Sequence, residues 1–344
     1  MDVEFVNPLY DPEWDRLAVS HPDYAFSHSA AWAKVLSKTY GHKPVYLRCS
    51  QLGELVALIP IMEVSSPLTG RRGVCLPFTD FCGPLMSAQG AWASTIEKLT
   101  EVAREREWKF FEIRGGTATE ASATPALEFH GHTLDLSRGT EHLFTLLKSS
   151  ARRALRKAAR SGLSVQLTRT REAIQEFYRL HIRTRRRHGL PPQPFSFFLN
   201  IHDEIVKPGL GFVVTASVGS CCVAAAIFFH FGKNAVYKFG ASDTSCQELR
   251  ANNLIIWEGI RFLSQNGAST LHLGRTSLEN DGLRRFKLTW GAQEERIKYL
   301  KFDSVAKTWV TRRDAALGFH EVVFARLPLA LNRLAGAVIY PHLD

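Results

Sequence analysis

The chain has 344 residues, 45% of them hydrophobic and 22% charged. That composition excludes wholesale disorder, a collagen-like repeat and a disulfide scaffold, and it leaves room for two domains of ~150–170 residues. The formal net charge of +10 points to an anionic partner (RNA, a nucleotide, CoA or an anionic lipid surface), beside the simpler reading of a solvated basic surface.

The first 44 residues read as an entry segment with a helix over 30–37. The acidic start, Met1-Asp2-Val3-Glu4, lacks the basic and apolar regions of a signal peptide, so a cytoplasmic protein is expected. Strands are predicted over 45–48 and 55–64, joined by the turn Gln51-Leu52-Gly53-Glu54. Residues 65–73 read as a loop ending in Arg71-Arg72. A helix over 91–106, a strand over 108–113, a linker-like stretch over 115–125 and a short strand over 132–136 complete the first half.

The second half opens on a basic helix over 143–160. Arg152, Arg153, Arg156, Lys157 and Arg160 recur at helical spacing on one face, with Leu155, Ala158 and Ala159 on the other. A strand over 163–167 follows. A second helix covers 172–188, with Ala173, Ile174, Phe177 and His181 as its apolar stripe, and the prolines at 191, 192 and 194 stop it. A short helix over 195–206 precedes three strands, 211–218, 222–230 and 235–240. Gly219-Ser220 and Gly232-Lys233 mark their turns, which makes an antiparallel meander. A helix over 250–264, a strand over 270–273, a helix over 282–289 and a strand over 296–302 come last. Residues 324–339 are apolar with two arginines. They are too interrupted to span a bilayer, and either pack on the domains or lie at a membrane interface. The longest apolar run, 221–229, is also too short to span one.

The six cysteines read as reduced, mostly buried thiols: Cys75 and Cys82 are spaced too widely for common metal motifs, and Cys221 and Cys222 are adjacent. No Ser-His-Asp or Cys-His arrangement and no metal-ligand spacing stands out, so neither a metal nor a bound cofactor is implied.

The order of elements in the second half resembles a GNAT acyltransferase domain. Local motifs narrow the resemblance. Arg153-Ala154-Leu155-Arg156-Lys157-Ala158-Ala159-Arg160-Ser161-Gly162-Leu163 is similar to the R-x-x-I/L-R-K-A-x-K-x-G-V signature of the Fem family, the peptidoglycan bridge-forming aminoacyltransferases built from two GNAT-like domains. Thr184 to Gly189 resembles that family's T-x-x-R-x-G stretch, Tyr237-Lys238-Phe239-Gly240-Ala241-Ser242 its Y-x-Y-G-A-S strand end, and Leu283 to Gly291 its R-F-K-x-x-F/W-G motif. Leu76-Pro77-Phe78 and Asp80 to Leu85 resemble the segment closing its first sheet.

The resemblance implies an α+β fold of two GNAT-like domains, each a mixed, mostly antiparallel sheet flanked by helices, with a C-terminal helical tail. The expected boundaries are 1–136, 137–305 and 306–344. It also implies an acyl- or aminoacyltransferase acting on an amine of a cell-envelope precursor, peptidoglycan or polysaccharide. Acyl-CoA or aminoacyl-tRNA would be the donor substrate, and a phosphorylated precursor the acceptor. The other readings are an acyl-CoA-dependent N-acyltransferase of a sugar or small amine, and a non-catalytic RNA- or membrane-binding module on the same fold.

Aminolysis of a thioester or aminoacyl ester needs a cradle for the oxyanion and a route for one amine proton. On the family motif, Lys287 next to Phe286 stands at the reacting centre, where an ammonium would stabilise the oxyanion; as residues alone, Lys287 is equally a lysine on a short amphipathic helix. Arg187 is the expected clamp on an acceptor phosphate, or one of several solvated arginines over 183–187. Tyr237 could bond the substrate or shuttle a proton, or sit in the core. Asp243 could act on the substrate or serve the turn Ser242-Asp243-Thr244-Ser245. Trp257 is placed with the substrate-binding set. Arg153, Arg156 and Arg160 offer a track for a polyanion such as tRNA, or a solvated face. The position of the usual CoA-pyrophosphate loop reads Ser245 to Asn253 and holds no glycine, which counts against acetyl-CoA.

Overall fold

The computed structural model describes residues 2–87, 91–115, 124–311 and 323–344. The chain divides into two compact units: Met1–Phe129 with Arg296–Ala315 and Ile339–Asp344, and His130–Glu295 with Ala316–Val338. This partition gives 296–303 to the first unit, whereas the sequence boundary at 305 keeps it in the second. The linker-like stretch over 115–125 falls largely outside the described residues.

In the first unit, α1 (Trp14–Ser20) precedes α2 (Ala30–Tyr40), which starts where Ser29 Oγ accepts from Trp32 N and ends at Gly41 with φ 72°. Its apolar face, Trp32, Val35 and Leu36, is buried. Strand β1 (Asp2–Val6) precedes both helices, and β2 (Lys43–Pro44), β3 (Tyr46–Gln51) and β4 (Glu54–Ile59) follow them. The β3–β4 hairpin turns on Leu52 and Gly53, both left-handed, as a two-residue hairpin loop requires. The single strand expected over 55–64 is two: β4 stops before Pro60, which has no N–H to continue the ladder, and β5 (Met62–Ser66) pairs with a different partner. That partner, β6 (Gly70–Val74), lies where a loop was expected. Its Arg72 is buried because the guanidinium is tied to the Asp344 carboxylate and the His342 carbonyl. With β7 (Leu85–Met86), β8 (Phe110–Arg114) and β15 (Gln293–Asp303), the strands make two sheets, β1-β3-β4-β7 and β2-β5-β6-β8-β15. Helix α3 (Ala91–Glu105) places Leu99, Val102 and Ala103 in the same core as Val45, Leu47 and Phe111.

The second unit is a sheet in the order β10-β11-β12-β13-β14-β9: β9 (Leu127–Asp135), β10 (Ser164–Thr168), β11 (Gly211–Val218), β12 (Cys221–Phe231), β13 (Asn234–Ser242) and β14 (Thr270–His272). The three-strand meander is as predicted. β13 and β14 are parallel, and the other pairings antiparallel. The basic helix expected over 143–160 is two, α4 (Gly139–Leu146) and α5 (Ser149–Ala159). Leu147 and Lys148 between them are extended, and Lys148 N donates to Thr289 O at 2.9 Å. Helix α6 (Arg171–Arg187) buries the predicted stripe of Ala173, Ile174, Phe177 and His181. Then come α7 (Phe195–Ile201), α8 (Ala251–Gln265) and α9 (Asp281–Leu288). α8 lays Ile255, Ile256, Ile260 and Leu263 on Phe212 and Phe228. The contact is close because position 259 is glycine: a Cβ there would come within 2.3 Å of Phe228 Cζ. The last helix, α10 (Leu329–Ile339), follows.

All six cysteines are free thiols, and Cys49, Cys75, Cys82 and Cys222 are buried. No helix among the described residues is long and apolar enough to cross a membrane.

Candidate functional site

The site grows from the end of β13. That strand pairs with β14 only over Asn234–Thr270, Ala235–Leu271 and Val236–His272. Beyond Val236 the two diverge, and Tyr237 to Ser242 lose that neighbour. A shift in the β12–β13 register, from Ile227↔Phe239 to Phe228↔Tyr237, leaves Lys238 as the extra residue of a bulge, and a bulge bends and twists its strand. A strand edge that has left its neighbour is where an extended ligand can add.

Ser242 and Asp243, where β13 ends, are braced from both sides. Thr184 Oγ1 of α6 accepts from Ser242 N at 3.4 Å, and Asn252 Nδ2 of α8 donates to Ser242 Oγ at 2.9 Å. Asp243 caps the following turn, its Oδ1 accepting from Ser245 N at 3.0 Å and Ser245 Oγ at 2.7 Å. Those bonds from Ser245 hold its carboxyl below the ordinary carboxylate range, with Arg183 helping; the Arg183 guanidinium is 3.6 Å away.

Two cavities meet at this junction. One, of about 660 Å³, is walled by Ser150, Arg153 and Lys157 of α5, by Val223, Ser242, Asp243, Cys246 and Gln247, by Arg250 to Asn253 at the start of α8, and by Phe286 and Thr289. The other, of about 420 Å³, is walled by Arg183, Arg186 and Arg187 of α6, by Ser242, Asp243 and Thr244, and by Ala325 and Leu329. Each carries three cations against one shared carboxylate, Asp243. Among the described residues no ion pair or hydrogen bond engages the side chains of Arg153, Lys157, Arg187 or Arg250. The first cavity also faces the first turn of α8, where Asn253 N and Leu254 N donate to Arg250 O at 3.0 and 3.3 Å and the positive end of the helix dipole lies. Arg250 precedes that turn in the left-handed conformation, φ 60° and ψ 28°.

The expected residues fall in different places. Arg153 and Phe286 line the 660 Å³ cavity, Arg187 the other, and Asp243 both. Arg156 and Arg160 are exposed on α5, outside both linings, and Ala159 is exposed too; the buried face of α5 is Ala151, Leu155 and Ala158. Trp257 is in the core, edge-on to Phe144 at 5.6 Å. Tyr237 lies tilted at 55° against Phe228, 5.3 Å between ring centroids, and burial pushes its phenol up to about 12. Lys287 is buried, and its Nζ donates to Gly274 O at 2.7 Å and Arg275 O at 3.0 Å. It lines neither of these cavities, and its ammonium is engaged with backbone.

Beside Lys287, Glu294 accepts two bonds from Arg284, at 2.7 and 2.9 Å, and lies 3.2 Å from both His130 Nδ1 and His132 Nε2. The bonds from Arg284 hold Glu294 down at about 2, and burial first, then Lys287, pulls His132 down to about 4. Sequence reasoning did not single out Lys157, Arg183, Arg186, Arg250, Asn252 or Ser242 as site residues. The charges at 157 and 186 sit inside the motifs it used and 183 directly precedes one, whereas nothing local marks an arginine in a left-handed turn.

Residues 147–295 match the acetyltransferase (GNAT) domain family model. Among solved structures the chain is similar to FemX (TM-score 0.68, 14% identity, 86% of this chain and 96% of that one). It is also similar to L-PGS from Bacillus licheniformis (TM-score 0.54, 14% identity, 92% and 96%) and to a tandem GNAT protein from the clavulanic acid biosynthesis pathway (TM-score 0.55, 10% identity, 88% and 99%). No curated protein matches the chain in sequence. The fold is therefore α+β, Fem-like, with GNAT-like units, and the two cavities lie within the residues of its second unit.

Proposed function

We propose that the chain is an N-acyl- or aminoacyltransferase whose donor lies in the 660 Å³ cavity and whose acceptor enters by the 420 Å³ one. The observation that carries this reading is their meeting at Ser242 and Asp243, on the part of β13 that has parted from β14. A donor lying along that edge can bond its backbone groups, with its anionic part toward Arg153, Lys157, Arg250 and the start of α8. The acceptor amine then meets the donor carbonyl at the junction. A C–N bond forms, the ester or thioester bond breaks with its electron pair going to the departing oxygen or sulfur, and the proton the amine gives up ends on that leaving group, released as alcohol or thiol. Asp243, ionised at neutral pH, is a weak base but a good anchor for an ammonium or amine. Phe286 forms part of the donor wall. Lys287 acts in this proposal as a positioning residue that ties α9 to Gly274 and Arg275 behind that wall.

The donor is an aminoacyl-tRNA or an acyl-CoA. The exposed continuation of Arg153 and Lys157 into Arg156 and Arg160 supports the longer polyanion, as does the lack of glycine over 245–253. The acceptor, on the Fem resemblance, is an amine of a phosphorylated envelope precursor, its phosphate toward Arg187.

The test is equilibrium binding of aminoacyl-tRNA and of acetyl-CoA at low salt, followed by transfer of a radiolabelled acyl group to an amine acceptor. Arg153→Glu with Lys157→Glu and Arg250→Glu should abolish donor binding. Arg156→Glu with Arg160→Glu should weaken tRNA only and lower its salt slope by about one per lost contact. Acetyl-CoA binding without tRNA binding would remove the aminoacyl-tRNA donor, and binding of neither would overturn the transferase reading.

A further inference from the structure

Helix α10 is amphipathic the wrong way round. Asn332 is 1% exposed and its Nδ2 donates to Phe324 O at 3.1 Å. Gly336 is buried against Pro192, where an added Cβ would lie 1.9 Å from the carbonyl oxygen. The outward side instead carries Leu331, Leu334 and Val338, which are 52%, 61% and 58% exposed. Their spacing of three and four residues puts them on one stripe. Single exposed leucines are ordinary, but an apolar stripe turned outward while an Asn is buried marks an interaction face.

The charge around the stripe selects the partner. From Val323 to Leu343 the sequence has no Asp or Glu, and Arg326 and Arg333 are exposed, the Arg333 guanidinium lying 5.7 Å over the Tyr178 ring, a neutral partner that leaves its charge uncompensated. The three-arginine cavity shares Ala325 and Leu329 with this segment. A second copy of the chain on a two-fold axis would bring these cations together. An anionic bilayer supplies both an apolar interior for the stripe and phosphates for the guanidinium groups. We infer that the Leu331–Leu334–Val338 face of α10 docks on an anionic lipid surface, with Arg326 and Arg333 at the headgroups.

The test is co-sedimentation of the full chain with phosphatidylglycerol vesicles and with phosphatidylcholine vesicles. Binding to the first and not the second is expected. Leu331→Ser, Leu334→Ser and Val338→Ser together should weaken it at least about tenfold, with an unchanged thermal midpoint. Arg326→Gln and Arg333→Gln should each weaken it about fivefold, and added salt should do the same. Leu334→Asp alone, at the most exposed position, repeats the test should the triple variant fold poorly. Three outcomes overturn the inference: no binding to phosphatidylglycerol vesicles, equal binding by wild type and the Leu variants, or a dimer in sedimentation equilibrium that the Leu variants dissolve while vesicles leave it intact. The readout involves no acyl transfer, so this inference stands or falls apart from the proposed function.

Discussion

Gly240 sits beneath the side chain of Tyr237, and replacing it tests whether packing fixes the strand that organises the site. A Cβ at position 240 would lie 1.8 Å from the Tyr237 hydroxyl oxygen and 2.9 Å from its Cζ. Ordinary contact needs the ring to retreat by about 1.6 Å. Retreat is opposed by the Phe228 ring, itself closed in by Gly259. Gly240→Ala should therefore cost about 3 kcal/mol, the upper end of overpacking penalties. Tyr237→Phe removes the hydroxyl and leaves Cζ to move by about 0.5 Å, so the double variant should recover about 2 kcal/mol of that loss. Urea unfolding of wild type, both single variants and the double variant measures the coupling. Gly240→Ala within about 0.5 kcal/mol of wild type, or a double variant no better than Gly240→Ala, would refute the account.

Other substitutions read other parts of the site. Lys287→Met leaves the Gly274 and Arg275 carbonyls without their ammonium and should lower unfolding stability by about 2 kcal/mol; unchanged stability in denaturant would show that those bonds contribute little. Arg187→Lys keeps the charge but loses the guanidinium fork, so KM for a phosphorylated acceptor should rise about tenfold while a dephosphorylated analogue is unaffected. Burial first, then Arg185, pulls the His181 imidazole down to about 3. The folded state thus holds it neutral, and its stabilisation is complete above the unfolded value of 6.5 and fades as pH falls from there toward 3. At about pH 5.5 the loss is about 1.4 kcal/mol, and His181→Gln should remove that part of the pH slope in denaturant titrations.

The second unit was the more legible in sequence. Its meander strands are apolar runs bounded by clear Gly turns and are buried almost throughout in β11 and β12, and the stripe Ala173, Ile174, Phe177, His181 keeps helical period, so local pattern and tertiary burial agree. Legibility failed where distant residues decide. Arg71-Arg72 looks like a loop until Asp344 neutralises Arg72 and lets it be buried in a strand. The break at Leu147 and Lys148 is set by Thr289, which is far away in sequence. In the site, the helical charge pattern marked Arg153 and the family motif marked Arg187, but pattern cannot say which way a side chain points: Arg156 and Arg160, marked with Arg153, lie outside both linings. Motif position put Lys287 at the reacting carbonyl, and the fold engages it with backbone oxygens. Trp257, placed with the substrate-binding set, is packed in the core.

Arg250 holds a backbone conformation that costs a non-glycine residue about 1 kcal/mol, at the head of α8 and on the wall of the larger cavity. Glycine there would relieve the strain and remove the cation. Directed evolution of this chain for heat resistance alone would thus drift toward Arg250→Gly, and a library ranked by melting temperature would discard the charge that the cavity presents. Thermostabilised versions should be selected on ligand binding and melting temperature together, with position 250 held fixed.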